Sequence, residues 1–174
     1  MPDNSTIQQL TRHVIVRKGI AVALGLLAGF VGVMFVEVVS ARVYPMPEGL
    51  EITDREGMVE FVRNLPAGAM WFLIAAHFVG ALLAGFSCEF FLRERWVFGA
   101  MLLAMLFTIA GIANLLMIPH PQWFAIVDTL TYVPGACIGY LLAIQIPQGQ
   151  LGEQEELVEG KREEAPEVLE PSGD

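Results

Sequence analysis

Four apolar stretches, each long enough to cross a lipid bilayer, fill most of this 174-residue chain. A helical span needs about 20 predominantly apolar residues to cover a hydrocarbon core of roughly 30 Å. Because every backbone polar group must be satisfied inside lipid, such stretches fold as helices. The sequence therefore predicts an all-α membrane protein, a four-transmembrane-helix antiparallel bundle. The four predicted spans are 20–43, 67–91, 97–118 and 123–146.

The chain divides into three parts around these spans. Residues 1–18 form an N-terminal segment, residues 19–146 form the transmembrane domain with an outer loop at 44–66, and residues 147–174 form a tail. The tail carries nine acidic residues against two basic ones, so it holds most of the net charge of −9. Too few apolar residues remain there to build a core, and we expect the tail to be disordered.

Lysine and arginine mark the expected cytoplasmic side. Arg12, Arg17 and Lys18 precede the first span, and the turn between the second and third spans contains Arg93 and Arg95. The positive-inside rule places such segments in the cytoplasm. With four spans, both termini then lie in the cytoplasm, and the loop between the first and second spans lies outside.

The outer loop contains a helical signal of its own. The segment Thr53-Asp-Arg-Glu56 fits a capping box, and apolar residues then recur with the spacing of a helix. These residues are Met58, Phe61, Val62 and Leu65. We expect a short amphipathic helix that lies on the outer membrane surface or over the mouth of the bundle.

Small residues form stripes on several spans. Gly25, Gly29 and Gly32 lie near one face of the first span, and the second and fourth spans carry similar stripes at four-residue spacing. Small residues let helix backbones approach closely in lipid. We therefore expect these stripes to face neighbouring helices.

Polar side chains inside apolar spans are costly, which makes them the first candidates for function. The candidate intramembrane polar cluster consists of Glu37, His77, Asn114, Asp128 and His120. Counted at 1.5 Å per residue, Glu37, Asn114 and Asp128 share the outer third of the membrane. His120 lies in the loop above them, and His77 lies near mid-bilayer. We expect Asp128 to face Asn114, with Glu37 or Arg42 close enough to couple electrostatically.

Asp128 has two interpretations. Pro134 removes a helical hydrogen bond, and the freed carbonyl of Leu130 would join two hydroxyls and the Asp128 carboxylate in a site for a proton or a hard cation. The hydroxyls are those of Thr129 and Thr131. Alternatively, the polar groups form hydrogen bonds that hold neighbouring helices together.

The other ionisable residues carry weaker signals. His77 is either a proton relay or a neutral group hydrogen-bonded between helices. His120 is a weak metal-ligand candidate, because one histidine with scattered acidic residues lacks a metal-site spacing. Glu89 and Arg93 lie one turn apart at the inner end of the second span, where we expect an ion pair. We predict no metal and no cofactor.

Several functional classes have no support in the sequence. No basic patch indicates nucleic-acid binding, and no GxSxG, P-loop or HExxH motif indicates an enzyme. Cys88 and Cys137 lie inside predicted spans, where we expect free thiols that behave as small apolar residues. The sequence thus predicts a non-enzymatic protein.

Three segments together suggest a family. They are Tyr44-Pro-Met-Pro-Glu-Gly49, Leu65-Pro66-Ala67-Gly68 and Asn114-Leu-Leu-Met-Ile-Pro-His-Pro-Gln-Trp123. Over residues 20–146 the chain resembles a group of small, uncharacterised, four-span bacterial membrane proteins. This resemblance implies a location in the bacterial inner membrane, and it carries no known activity.

Two functions fit these features. The first is a scaffold or accessory subunit that packs in the lipid bilayer, as a homo-oligomer or in a larger membrane complex. The second is a small proton- or cation-coupled transporter or channel that uses the outer-third polar residues. Four spans are few for a transporter, so the second function requires an oligomer. The polar residues cluster on one side and leave no polar path to the cytoplasm, which favours the first.

Overall fold

The computed structural model describes residues 4–51, 53–118 and 120–147. All regular secondary structure in these ranges is helical. Four of the helices are long and apolar enough to cross a membrane, which confirms the predicted all-helical fold with four candidate spans and is compatible with a multi-pass membrane protein. The helices are α1 (Asn4–Val43), α2 (Arg55–Asn64), α3 (Ala67–Leu92), α4 (Val97–Met117) and α5 (Gln122–Ala143).

The long helices match the predicted spans to within a few residues, except at the start of α1. This helix begins at Asn4 and continues through the expected boundary after residue 18. Its apolar, membrane-spanning part begins at Thr11. The N-terminal segment is thus largely a helical extension of the first span. The acidic tail predicted beyond residue 147 lies outside the described residues.

Helices α1 and α3 approach each other through the glycines of the first span. A Cβ atom added to Gly25 would lie 2.8 Å from the Ala84 carbonyl oxygen, and one added to Gly29 would lie 2.7 Å from the Gly80 carbonyl oxygen. A side chain at either position would overlap the neighbouring backbone. The two helices therefore pack closely because these positions carry no side chain, as the stripe predicts.

Helix α3 is the centre of the bundle, because it packs against α1, α4 and α5. Its contact with α5 again depends on glycine. Gly135 of α5 lies beside the Phe78 carbonyl, and Gly85 of α3 lies beside the Ala136 carbonyl. This close contact fixes how α3 and α5 are rotated towards each other, which decides the polar pairs that they form.

Helix α2 uses the apolar face that the sequence predicts. Val62 is buried in a cluster with Met70 and Ile74 of α3 and with Phe124 of α5. The helix therefore packs on the ends of two long helices. We call this the 44–66 end of the bundle, after the connection that contains α2.

The start of α2 differs from the predicted capping box. Asp54 is the N-cap residue, and its Oδ1 accepts a hydrogen bond from the Gly57 N–H at 3.1 Å. The Thr53 hydroxyl instead donates to Glu51 Oε2 at 3.2 Å, before the helix begins. Thr and Asp are both good N-cap residues, so their adjacency left the start of the helix ambiguous by one residue.

A buried carboxylate fixes the turn between α3 and α4. Glu89 is only 3 % exposed, and it accepts hydrogen bonds from the backbone N–H groups of Arg95 at 2.6 Å and Trp96 at 2.9 Å. Free N–H groups and the helix dipole make a negative charge favourable at this position. The sequence predicts an ion pair between Glu89 and Arg93. In the structure, both carboxylate oxygens of Glu89 instead accept hydrogen bonds from the backbone just before α4.

The same turn holds the basic part of α1. Arg17 forms an ion pair with Glu94 at 2.8 Å and donates a hydrogen bond to the Leu92 carbonyl at 2.7 Å. The Lys18 ammonium lies 4.8 Å from the centre of the Trp96 ring. The basic residues of α1 and those of the α3–α4 turn thus lie at the same end of the bundle, which we call the 93–96 end.

Candidate functional site

The bundle interior contains three hydrogen-bonded polar side chains, which we call the polar triad. They are His77 of α3 and Asp128 and Tyr132 of α5. His77 Nδ1 lies 2.6 Å from Asp128 Oδ1, and the Tyr132 hydroxyl donates to Asp128 Oδ2 at 3.1 Å. Asp128 and Tyr132 are each 1 % exposed, and the His77 side chain is 12 % exposed.

Each member of the polar triad has a partner suited to its chemistry. A carboxylate only accepts hydrogen bonds, so in the ionised form of Asp128 the His77 Nδ1–H and the Tyr132 hydroxyl both donate to it. Such charge-assisted bonds are strong where the dielectric constant is low. Among the described residues, no buried side-chain nitrogen or oxygen lacks a hydrogen-bond partner. Removal of one member would leave another member buried and unsatisfied.

The sequence identifies His77 and Asp128 as candidates but assigns them different depths. The structure places them at one level, and the tryptophans explain why. The rings of Trp71 and Trp123 lie 5.8 Å apart at the 44–66 end of α3 and α5. His77 is six residues from Trp71, and Asp128 is five from Trp123. If the depths of His77 and Asp128 are counted from these two rings, rather than from the first residue of each span, the two residues fall at the same level. That count would have predicted their pairing.

Tyr132 is the member of the polar triad that the sequence reasoning missed. It follows Asp128 by one helical turn, so both side chains project from the same face of α5. Its hydroxyl packs against Gly111 of α4, where any side chain would occupy the same space. The sequence did contain a signal for this hydrogen bond, because Asp128 and Tyr132 are four residues apart in an apolar helix.

Asn114 does not join the polar triad. Its side chain is exposed on α4, so the expectation that it faces Asp128 is wrong. The physical reason is rotation around the helix axis. Asn114 lies three residues after the buried Gly111, about 60° around the helix and towards Ala110, which is also exposed.

The two threonines of the Pro134 region are hydrogen-bonded within their own helix. The Thr129 hydroxyl donates to the Ala125 carbonyl at 2.7 Å, and the Thr131 hydroxyl donates to the Val127 carbonyl at 2.9 Å. Both hydroxyls therefore bond to carbonyls one turn earlier in their own helix. This arrangement supports structural roles for both threonines.

Glu37 and His120 lie on the wall of one cavity of about 470 Å³ at the 44–66 end. His120 Nδ1 lies 2.6 Å from the Ile118 carbonyl oxygen, and its ring stacks on Phe124 with 4.8 Å between centroids. Burial lowers the pKa of His120 below its usual 6.5, although the Ile118 hydrogen bond and the Asp128 charge act in the opposite direction. The ring is therefore neutral at pH 7.

The five predicted site residues thus separate into three places. His77 and Asp128 belong to the polar triad, and Glu37 and His120 belong to the cavity wall. Asn114 lies on the exposed face of α4.

Comparison of the chain with protein-family models, curated proteins and solved structures finds no match. The resemblance to small four-span bacterial proteins therefore stays a prediction. The function has to be inferred from the helix packing and from the polar sites.

Proposed function

We propose that this chain is a non-enzymatic scaffold or accessory subunit of the lipid bilayer, built as an antiparallel four-helix bundle with α2 as its outer helix. The order of contacts between α1 and α3 supports the antiparallel arrangement. Gly25 lies beside Ala84, whereas the later residue Gly29 lies beside the earlier residue Gly80. The bundle would act as a homo-oligomer or as part of a larger membrane complex.

The packing beyond the polar triad is the observation that carries this proposal. From Tyr132 towards the 93–96 end, the backbones of α3 and α5 are in direct contact. Gly85 packs on the Ala136 carbonyl, and Gly139 packs on the Leu82 carbonyl. An interface without space for a methyl group has no space for a bridging water molecule. The α3–α5 interface is therefore built to hold two helices together rather than to conduct an ion between them.

An exposed stripe on α4 supports assembly with a further membrane helix. Asn114 is exposed together with Ala110 and Ala113, and its side chain makes no hydrogen bond with any described residue. An amide in an apolar span gains from an interhelical hydrogen bond, and small neighbours allow a second helix to come close. A copy of this chain or a partner subunit would supply that helix.

We place the protein in the bacterial inner (cytoplasmic) membrane with both termini in the cytoplasm. Arg17 and Lys18 pack against the α3–α4 turn, which itself contains Arg93 and Arg95. Four basic side chains therefore belong to one end of the bundle, and the positive-inside rule assigns that end to the cytoplasm. Helix α2 and the cavity then lie on the outer side.

A proton- or cation-coupled transporter or channel is the second candidate, and the polar triad favours it. Leu73 on the cavity wall lies one helical turn from His77, so a short distance separates the cavity from the His77–Asp128 pair. Ionisable groups in membrane spans often mark ion pathways, and histidine changes charge near neutral pH. An oligomer would have to supply the rest of the pathway.

Self-association in liposomes tests the scaffold proposal. Copies labelled with donor and acceptor fluorophores should show energy transfer that falls on dilution with lipid. Asn114→Leu should weaken the association about tenfold, which corresponds to one interhelical hydrogen bond of about 1.4 kcal/mol. Leu116→Ala is the control on the same helix, because Leu116 is also exposed and lies away from the stripe. Equal association of both variants would contradict a role for the stripe.

Proton flux distinguishes the second candidate. Liposomes that contain the protein and a pH-sensitive dye should take up acid no faster than empty liposomes if the chain is a scaffold. Rapid uptake that Asp128→Asn abolishes would overturn the scaffold proposal, since that substitution removes the charge and keeps the shape.

A further inference from the structure

The cavity at the 44–66 end has a lining that the scaffold proposal does not use. It is bounded by the end of α1, the start of α3 and the apolar face of α2, and its volume of about 470 Å³ is within the range of small-molecule sites. Most of the lining side chains are apolar. The polar ones are Glu37, Ser40, Tyr44 and His120. None of the described residues that line the cavity is a lysine or an arginine.

Glu37 places a negative charge on this wall without a partner. Its side chain is half-buried and makes no hydrogen bond or ion pair with any described residue. Arg42 lies five residues later on α1, where it is exposed and outside the cavity lining. A carboxylate partly withdrawn from water is stabilised by a cation or a hydrogen-bond donor. The wall therefore favours a ligand that carries one.

His120 supplies a second acceptor. Its Nδ1 bonds to the Ile118 carbonyl oxygen at 2.6 Å, and because a carbonyl only accepts, Nδ1 carries the hydrogen. Burial keeps the ring neutral at pH 7 by lowering the pKa of His120. Nε2 therefore retains its lone pair. The largely apolar lining thus includes Glu37, which has a carboxylate, and His120, whose Nε2 is an acceptor.

We propose that this cavity binds an amphiphile with a primary ammonium group on an alkyl or acyl chain. The ammonium donates hydrogen bonds to the Glu37 carboxylate and to His120 Nε2, and the chain lies beneath α2 along Phe61, Leu65 and Leu73. An ammonium group has three donors and one positive charge, which match two acceptors of which one is anionic. A fatty acid or an alkyl phosphate would be repelled by Glu37. An aminophospholipid and a free long-chain amine share the required chemistry.

Photolabelling of the full-length protein in phosphatidylcholine nanodiscs tests the proposal. Three probes share a dodecyl chain with a diazirine and differ in the head group, which is a primary amine, an alcohol or a trimethylammonium. Mass spectrometry locates the label. The amine probe should label residues 58–65 and 69–73 about tenfold more than the alcohol probe, the ratio expected for one charge-assisted contact. The trimethylammonium probe has the charge but no donor, and it should label these segments less than the amine.

Variants test whether Glu37 causes the preference for the amine probe over the alcohol probe. Glu37→Gln should abolish the preference for the amine, whereas Glu37→Asp should keep it. Glu48→Gln is the matched control, because Glu48 is an exposed carboxylate outside the cavity lining and its loss should have no effect. Equal labelling by amine and alcohol in the wild type, or an undiminished preference in Glu37→Gln, overturns the proposal. If Glu37→Gln loses all labelling, Glu37→Asp decides: retained preference supports the proposal and its loss refutes it.

The origin of the ligand is tested by lipid composition. Nanodiscs that also contain phosphatidylethanolamine should show weaker amine labelling if an aminophospholipid occupies the site. Unchanged labelling identifies a free long-chain amine as the better ligand. Both results support a site for a primary ammonium, and they distinguish its two sources.

Discussion

Asp128 shows how a carboxylate is accommodated in the interior of a membrane helix bundle. It receives one donor from His77 on α3 and one from Tyr132 on its own helix. An interhelical hydrogen bond in a membrane contributes about 0.6 kcal/mol on average and up to about 1.7 kcal/mol. The polar triad therefore both joins α3 to α5 and selects one rotation of each helix.

Removal of a hydrogen-bond donor from the polar triad should lower the free energy of unfolding less than removal of its acceptor. Tyr132→Phe should lower the free energy of unfolding by about 1 kcal/mol, since it removes one donor and keeps the ring. Asp128→Leu should cost about 2–4 kcal/mol, because it leaves two buried donors without an acceptor. Equilibrium unfolding in mixed micelles measures both. Tyr140→Phe is the control, as its hydroxyl makes no hydrogen bond with a described residue. Equal costs for the two tyrosine variants would disprove the assigned role of Tyr132.

The lowered pKa of His120 predicts a loss of stability in acid. Because burial disfavours the charged ring, the folded protein binds this proton less readily than the unfolded chain. The stabilisation that comes from keeping His120 neutral is fully present above about pH 6.5, the pKa in the unfolded chain. It is lost as the pH falls from there through the lower pKa of the folded protein. His120→Asn should lack this component. Unfolding at about pH 7.5 and about pH 5.5 in both proteins measures it, since their other titrating groups are the same. Identical losses on acidification would contradict the prediction.

At the scale of helices, backbone contact through glycine determines the architecture. The first span meets α3 at Gly25 and Gly29, and α5 meets α3 at Gly135 and Gly139. Van der Waals contact replaces the hydrophobic effect as the main source of helix association in lipid. The positions that lack a Cβ atom therefore fix both the distance and the rotation of each pair.

Two glycines of α1 provide a matched test of this contact. A Cβ atom at Gly29 would lie 2.7 Å from the Gly80 carbonyl oxygen and 2.9 Å from the Ala84 side chain, whereas one at Gly19 would meet nothing within 4 Å. Gly29→Ala should destabilise the protein by about 1–3 kcal/mol, because the helices must separate. Gly19→Ala should stabilise it by up to about 1 kcal/mol through helix propensity. Thermal unfolding in detergent gives both values. Similar effects at the two sites would argue against close packing at Gly29.

The elements were more predictable from the sequence than the contacts between their side chains. Apolar length determines a span and glycine spacing marks a packing face, so the four long helices and the α1 stripe were predicted correctly. Asn114 and the buried Gly111 are separated by about 60° around the axis of α4. Sequence spacing does not assign the face of a helix to within that angle. The pairing of His77 with Asp128 joins residues 51 positions apart, and it depends on the relative height of two helices, which hydropathy does not encode.

The whole molecule has two unlike ends. At the 44–66 end, an amphipathic helix, a cavity and the approach to the polar triad lie together. At the 93–96 end, Glu89 accepts hydrogen bonds from the backbone of the α3–α4 turn, and Arg17 and Lys18 pack on that turn. The cavity thus lies at one end of the bundle. The other end carries four basic residues, Arg17, Lys18, Arg93 and Arg95, against three at the 44–66 end, Arg42, Arg55 and Arg63.

This asymmetry predicts the topology, which single cysteines test. In a background with Cys88→Ala and Cys137→Ala, Glu51→Cys should react with a membrane-impermeant maleimide on intact bacterial cells, because the positive-inside rule keeps the 93–96 end in the cytoplasm. Ser172→Cys, which lies outside the described residues, should react only after permeabilisation, since four spans return the chain to its starting side. Ala104→Cys is the folding control, because Ala104 is only 1 % exposed and should stay unlabelled in both conditions. Labelling of Ser172→Cys on intact cells, with Ala104→Cys still protected, would invert the proposed orientation and would place the ammonium site on the cytoplasmic side.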